Sequence, residues 1–266
     1  MTTAVRTEAG EAYLDLLKRC LTRLSDDGSP FLAGPANAAA TPEQLLQGVF
    51  AHQDADTMIG WARLDNARHC LETALVEGVP GDVVETGTWR GGCCAYLRAV
   101  LAVHGVEDRD VWLADSFQGF PEPDAERYPE DYVYATPEVR RFLDGLDYPI
   151  AVAVDEVRAR FARYGLLDEH VRFLPGFFAD TLPTAPIGRI AVLRLDGDFY
   201  QSTIEALEHL YDRLSPGGFC IVDDYALRSC QRAVDDFRTA RGITTPIERI
   251  DWTGAFWRKD DESGNR

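Results

Sequence analysis

The chain has 266 residues, 45% of them hydrophobic, which suits one large α/β domain with a full core. Its formal charge of -17 repels nucleic-acid phosphates, so a nucleic-acid substrate is set aside, and the acidity reads as the solubility of a cytoplasmic protein. No apolar window of about 18 residues exists to span a membrane, and residues 1–10 lack the apolar core of a signal peptide.

Tyr13, Leu14, Leu16, Leu17, Cys20, Leu21 and Leu24 recur at helical spacing and predict an amphipathic helix. Ser25-Asp26-Asp27-Gly28-Ser29-Pro30 ends it, and residues 31–40, rich in Ala, Gly and Pro, read as a loop. Thr41-Pro42-Glu43 reads as an N-cap followed by a first-turn proline, opening a short helix towards Phe50. Thr57-Met58 precede a helix predicted from Trp61 to Glu77. That pair reads equally as a cover over a bound cofactor and as a plain helix entry. Residues 1–60 are therefore expected to form a helical extension that covers cofactor and substrate, and 61–259 the main domain. The polar tail, 260–266, is expected to fray. The six cysteines form no Cys-x-x-Cys pair and the five histidines no His-x-x-x-His pair, which predicts free thiols and neither a disulfide framework nor a zinc site.

Val83-Val84-Glu85-Thr86-Gly87-Thr88-Trp89-Arg90-Gly91-Gly92 runs from β-branched residues into a glycine cluster. Residues 93–103, without Gly or Pro, read as the helix that follows. Val111-Trp112-Leu113-Ala114 is a second strand, closed by Asp115. This is a βαβ unit. Glycines let a ligand lie against the main chain, the helix start offers free N–H groups, and an acid closing the second strand suits ribose hydroxyls. The pattern is not Gly-x-Gly-x-x-Gly. Glu85 beside the loop disfavours a diphosphate and favours a cationic cofactor, so S-adenosylmethionine is expected in place of NAD. A purely structural strand–turn–helix corner is the alternative.

Residues 117–136 carry Gly119, three prolines, and the rings of Phe117, Phe120, Tyr128, Tyr132 and Tyr134. So long an irregular stretch is either disordered or a functional lid, and its aromatics favour a lid over the substrate. Residues 152–164 predict a helix closed by Gly165, and Val171-Arg172-Phe173-Leu174 a strand closed by Pro175-Gly176. Ile190-Ala191-Val192-Leu193-Arg194-Leu195 is a nearly continuous apolar run, as for a strand buried on both faces, and ends in Asp196-Gly197-Asp198. A helix over 200–214 follows, then a turn at Ser215-Pro216-Gly217-Gly218 and a buried strand, Phe219-Cys220-Ile221-Val222, ending in Asp223-Asp224. A helix over 230–240 stops at Gly242, and residues 247–252 and 255–258 predict a terminal hairpin. The whole reads as an α/β protein with a doubly wound, mostly parallel, seven-stranded Rossmann-like sheet and an N-terminal helical extension.

In such a sheet ligands bind beyond the carboxyl ends of the strands. Asp196, Asp223 and Asp224 end two strands expected to be neighbours. Grouped carboxylates repel one another unless a cation neutralises them, and oxygen-only ligation suits Mg²⁺. Helix capping is the alternative use for these acids. A metal beside a sulfonium cofactor points to methyl transfer to oxygen, with Asp198 as the proton acceptor and Asp196 its rival.

The blocks Glu85–Gly92, Ala114-Asp115-Ser116-Phe117-Gln118-Gly119-Phe120-Pro121, Leu195-Asp196-Gly197-Asp198 and Val222-Asp223-Asp224-Tyr225 resemble the macrocin O-methyltransferase family. So do Tyr13-Leu14-Asp15-Leu16-Leu17-Lys18-Arg19, Thr57-Met58-Ile59-Gly60 and Arg163-Tyr164-Gly165-Leu166-Leu167-Asp168. The resemblance implies an enzyme that uses S-adenosylmethionine and Mg²⁺ to methylate sugar hydroxyls of actinomycete natural products. It implies that Thr57, Met58, Glu85, Gly87, Thr88, Trp89, Gly91, Asp115 and Ser116 hold the cofactor, with Gly176 and Phe177 near its adenine. It further implies that Asp196, Asp223 and Asp224 hold the metal, that Asp198 is the base, and that the protein is a homo-oligomer. The metal site also resembles that of catechol O-methyltransferase, where a lysine follows the first metal Asp by three positions. Phe199 stands there in this chain, so an Asp must supply the base. Two rival readings are a catechol-type methyltransferase acting on an aromatic diol, and a non-catalytic cofactor-binding protein.

Overall fold

The computed structural model describes residues 7–30, 40–146 and 148–260. The chain opens with α1 (Glu8–Thr22), whose N-cap Thr7 accepts from the Gly10 N–H, then α2 (Pro42–Leu46) with a Thr41/Gln44 capping box, and α3 (Trp61–Val76). The β/α succession follows: β1 (Asp82–Thr86), α4 (Gly92–Val103), β2 (Val111–Asp115), α5 (Pro137–Asp144), α6 (Val154–Arg163), β3 (Val171–Pro175), α7 (Phe178–Thr181) and β4 (Ile190–Leu195). It closes with α8 (Tyr200–Leu210), β5 (Leu214–Val222), α9 (Arg228–Arg241), β6 (Glu248–Arg249) and β7 (Ala255–Arg258).

The seven strands order as β3-β2-β1-β4-β5-β7-β6, with β1 to β5 parallel and β7 antiparallel to both of its neighbours. Side chains of a strand alternate between faces, and the sequence obeys this. Val83, Val111, Leu113, Val192 and Ile221 face one core, with Leu14, Leu17 and Leu21 of α1, Leu64 and Leu71 of α3 and Leu97 of α4. Val84, Trp112, Leu193, Leu195 and Val222 face the other, with Leu207 of α8 and Val234 and Phe237 of α9. All six residues of β4 are buried, as a central parallel strand requires. The strand order reverses between β1 and β4, and their carboxyl ends open the crevice where ligands of such sheets bind.

Several boundaries differ from expectation. Ser215-Pro216-Gly217-Gly218 lies within β5 and is not a separate turn. The partner of Ile190 is Leu214 but that of Val192 is Phe219, so the extra residues bulge out of the ladder, with Gly217 at φ +79°. The helix predicted to reach Leu214 stops at Leu210 and tightens into a 3₁₀ turn over Tyr211–Arg213. Residues 117–136 contain a 3₁₀ helix, Pro129–Ala135, which a proline-rich stretch did not announce. The predicted loop at 31–40 falls outside the described residues except for Ala40, as does the tail beyond Asp260. The six cysteines are free. No helix among the described residues is long and apolar enough to cross a membrane.

Candidate active site

A cavity of about 320 Å³ opens at the carboxyl ends of β1, β2 and β4. Met58, Gly87, Trp89, Asp115, Ser116, Ile150 and residues 119–121 line one part of its wall. Residues 177–180 and 196–198 with Gln201, Ser202 and Glu205 line the rest. The size and the mix of apolar walls with a few polar groups are those of a small-molecule site.

The glycine loop forms one wall. Gly87 sits at φ +83°, and a side chain there would overlap the backbone carbonyl of Asp196. Only glycine lets the end of β1 touch the end of β4. The Asp115 carboxylate then orders the loop. Its Oδ2 accepts from the N–H groups of Thr88 at 2.6 Å and Trp89 at 3.1 Å, and its Oδ1 from Phe117 at 2.7 Å. Trp89 takes φ +48°, and its indole donates to the Pro149 carbonyl at 2.8 Å. Replacing Gly87 with Ala is expected to destabilise the fold by about 3 kcal/mol, the sum of left-handed strain and overpacking. Thermal unfolding measures this loss, and calorimetry with S-adenosylmethionine should show weakened binding.

The floor is acidic. One carboxylate oxygen each from Asp196, Asp198 and Asp224 lie within 4.8 Å of one another. Burial and the neighbouring acids push Asp198 up to about 8, and both Asp196 and Asp224 above the ordinary carboxylate range. Asp224 Oδ2 is buried without a hydrogen-bond partner. Three carboxylate oxygens this close, one of them buried without a hydrogen-bond partner, fit the oxygen ligation of a hard divalent cation.

Asp223 does not join this cluster. Its two oxygens accept from Arg194 and Arg63, both almost fully buried. Asp223 and Asp224 lie in the turn that follows β5, and the pairing of Asp223 with Arg194 and Arg63 leaves Asp224 as the one of the two near Asp196 and Asp198. Glu85 is also not in the cavity wall. It is buried beneath the loop, where its carboxylate accepts from Arg194 and from the Cys94 thiol. Burial, opposed by Arg194, pushes Glu85 up to about 7. Arg194 also donates to Asp196 at 2.7 Å, so one guanidinium ties three strand ends together. Arg63 extends the network to Asp251 at 3.0 Å and to the Gly48 carbonyl at 3.1 Å.

The sequence matches the family model described as Macrocin-O-methyltransferase (TylF) over residues 10–259. The chain belongs to the macrocin O-methyltransferase family. It is 51% identical over 251 residues, 94% of each chain, to 8-demethyl-8-(2,3-dimethoxy-alpha-L-rhamnosyl)-tetracenomycin-C 4'-O-methyltransferase of Streptomyces olivaceus. It is 48% identical over 250 residues, 94% of this chain and 96% of the other, to mycinamicin III 3''-O-methyltransferase of Micromonospora griseorubida. Among solved structures it superposes on the O-methyltransferase NovP with a TM-score of 0.85 and 43% identity, covering 95% of this chain and 100% of that one. The chain is thus an S-adenosylmethionine-dependent O-methyltransferase.

Within this macrocin O-methyltransferase fold the other sequence-predicted positions divide. Met58, Gly87, Trp89, Asp115, Ser116 and Phe177 stand in the cavity wall. Thr57, Thr88, Gly91 and Gly176 do not. Thr57 Oγ1 accepts from the Ile59 N–H, which turns the chain so that Met58 faces the cavity. Gly91, at φ +78°, is the left-handed N-cap of α4, and a side chain there would meet Val157 and Phe161. Gly176, at φ +136°, leads into Phe177. Sequence reasoning missed Gln201, Ser202, Glu205 and Asp180 in the wall, and the roles of Arg194 and Arg63. Arg194 left a signal: a charge inside an apolar run buried on both faces must have buried partners.

Proposed function

We propose that this protein transfers the methyl group of S-adenosylmethionine to a sugar hydroxyl of a glycosylated natural product, with Mg²⁺ held by Asp196 and Asp224 and with Asp198 beside them as the proton acceptor. The observation that carries the metal is the unpaired, buried Asp224 Oδ2 within reach of two other carboxylates. The named activities of the tetracenomycin and mycinamicin relatives, which cover nearly the full chain, support a glycoside acceptor.

The residues divide the work. Gly87, Trp89 and Met58 shape the cofactor's seat, and Asp115 holds the loop while its carboxylate stays within the cavity wall. Phe177 and Phe178 offer apolar surface to the adenine. The apolar walls keep water from the sulfonium. Mg²⁺, when bound, lowers the pKa of an acceptor hydroxyl. Asp198, within reach of Asp196 and Asp224, would take the hydroxyl proton. S-adenosylmethionine, held by Gly87, Trp89 and Met58, would supply a methyl carbon on a sulfonium that the deprotonated oxygen could attack in line. The protein contributes alignment and proton removal.

The test is a methyl-transfer screen by product mass against glycosylated macrolides, aminocoumarins, glycosylated polyketides and plain catechols, with Mg²⁺ or with chelator. A metal-dependent gain of one methyl on a glycoside is the expected result. Transfer to catechols alone would overturn the sugar acceptor, and equal turnover with excess chelator would overturn the metal.

A pH effect follows from the same cluster. Asp198, at about 8 in the folded chain against an ordinary 3.8, holds its proton to higher pH than the unfolded chain does. Asp196 and Asp224 are shifted in the same direction. The folded state binds more protons between about pH 4 and pH 8, so the cation-free protein loses stability as pH rises through that window. Mg²⁺ opposes the repulsion among the ionised carboxylates. The rise in melting temperature on adding Mg²⁺ is therefore expected to be larger at about pH 8.5 than at about pH 6, which differential scanning fluorimetry checks.

A further inference from the structure

Asp198 is held in an unusual conformation. Its φ is +58°, although it is not a glycine, and the Phe199 N–H donates back to the Gly197 carbonyl to close a three-residue turn around it. Such turns are rare and strained, and the strain persists only where surrounding structure over-determines it. The turn is what directs the Asp198 carboxylate towards Asp196 and Asp224.

The groups that hold the turn come from elsewhere in the chain. The Asp198 carbonyl accepts from the Ser229 hydroxyl at 3.1 Å, at the start of α9, and from the Tyr134 hydroxyl at 3.3 Å, in the 3₁₀ segment of the lid. The two hydroxyl oxygens also lie 3.3 Å apart, and with one proton each they make two of these three contacts at a time. The Tyr134 ring stacks on Phe199, the residue after Asp198, with centroids 3.9 Å apart and planes 14° from parallel. Phe120 stacks on the same ring at 5.2 Å. Three residues before Tyr134, the fully buried Asp131 accepts from the N–H groups of Tyr200 at 2.6 Å and Gln201 at 2.9 Å. A carboxylate here satisfies free amides at the positive end of α8, the helix that the catalytic turn leads into. Neither Tyr134 nor Ser229 lines the cavity.

We infer that Tyr134 and Ser229 are positioning residues for the proton acceptor: they hold the strained turn that aims Asp198, and through them the lid and the base form one unit. Asp131 and the Tyr134–Phe199 stack anchor that unit to α8. Closing the acceptor's cover and aiming the carboxylate that takes its proton are then one structural event. The inference rests on the reading of Asp198 as the base in methyl transfer.

Tyr134→Phe keeps the ring and its stack and deletes only the hydroxyl. Ser229→Ala deletes the second donor. The two are measured singly and together, in the wild-type background and in Asp198→Asn, since Asn tolerates the left-handed backbone as Asp does. Each single variant is expected to lower kcat about threefold and the pair about tenfold, the loss of one and two neutral hydrogen bonds. KM for the glycoside and the calorimetric Kd for S-adenosylmethionine are expected to stay within about twofold. In the Asp198→Asn background the pair is expected to have no further effect, because the group they aim is gone. The same fold loss in both backgrounds, a loss carried by acceptor KM, or an undiminished kcat in the pair would each overturn the inference while leaving the methyltransferase reading intact. Full turnover by Asp198→Asn alone would overturn Asp198 as base, and the inference with it.

Discussion

Asp224→Ala is expected to lower methyl transfer by about a thousandfold or more, about 4 kcal/mol of barrier, while leaving S-adenosylmethionine binding within about twofold. The separation follows from the architecture. Asp224 follows β5 and supplies the one buried carboxylate oxygen without a hydrogen-bond partner among the described residues. The proposed cofactor seat is the loop after β1 and the end of β2, where Gly87, Trp89 and Asp115 stand. Removing Asp224 deletes the proposed cation ligand and relieves repulsion on Asp196 and Asp198, so the variant is expected to fold and to melt no lower than the wild type measured in chelator. Single-turnover rates by product mass, paired with calorimetry, check the two halves. Wild-type turnover with Mg²⁺ in this variant would remove the metal site from the mechanism.

The second large effect concerns stability. Arg194→Met is expected to destabilise the protein by about 3–5 kcal/mol, the usual cost of leaving buried charges without their partner. Arg194 is 1% exposed and serves Glu85, Asp196 and Asp223 at once. Methionine has a similar length and no charge, so the loss reports electrostatics more than volume. Asp223 would then keep Arg63, while Glu85 and Asp196 would lose the guanidinium they accept from, and burial would drive protons onto them. Denaturant unfolding in wild type and variant measures the difference. Because the uncompensated acids can protonate, the loss is expected to be smaller at low pH than at neutral pH. A change under about 1 kcal/mol would show that the network is not held by this guanidinium.

Both predictions depend on which acids face the cavity, and here sequence and structure part. The order of strands and helices, the glycine loop, the acid closing β2 and the aspartates closing β4 and β5 were legible, because each rests on local signals: period-two burial, glycine clusters, and acids at the ends of apolar runs. The irregular stretch over residues 117–136 was legible as a segment from its aromatics and prolines, and its 3₁₀ helix was not. Its anchoring through Asp131 and Tyr134 was not, because both partners lie more than 60 positions away in the chain.

Glu85 shows the limit most plainly. By position it belonged to a cationic ligand, and by structure it belongs to Arg194, whose placement in β4 beside β1 no local pattern announces. Asp223 and Asp224 are adjacent in sequence and differ in surroundings: one is held between two buried guanidinium groups, the other lies beside Asp196 and Asp198. The sequence by itself determined that this chain is a doubly wound α/β methyltransferase with carboxylates at its ligand-binding edge, because hydrophobic period and strand-end chemistry are written residue by residue. Which carboxylates are neutralised by arginine and which remain free to hold a cation or take a proton was decided only by the tertiary structure. Ion pairing depends on distance in space, and the partners of Asp223 and Glu85 come from α3 and β4, brought beside them only when the sheet and its helices assemble.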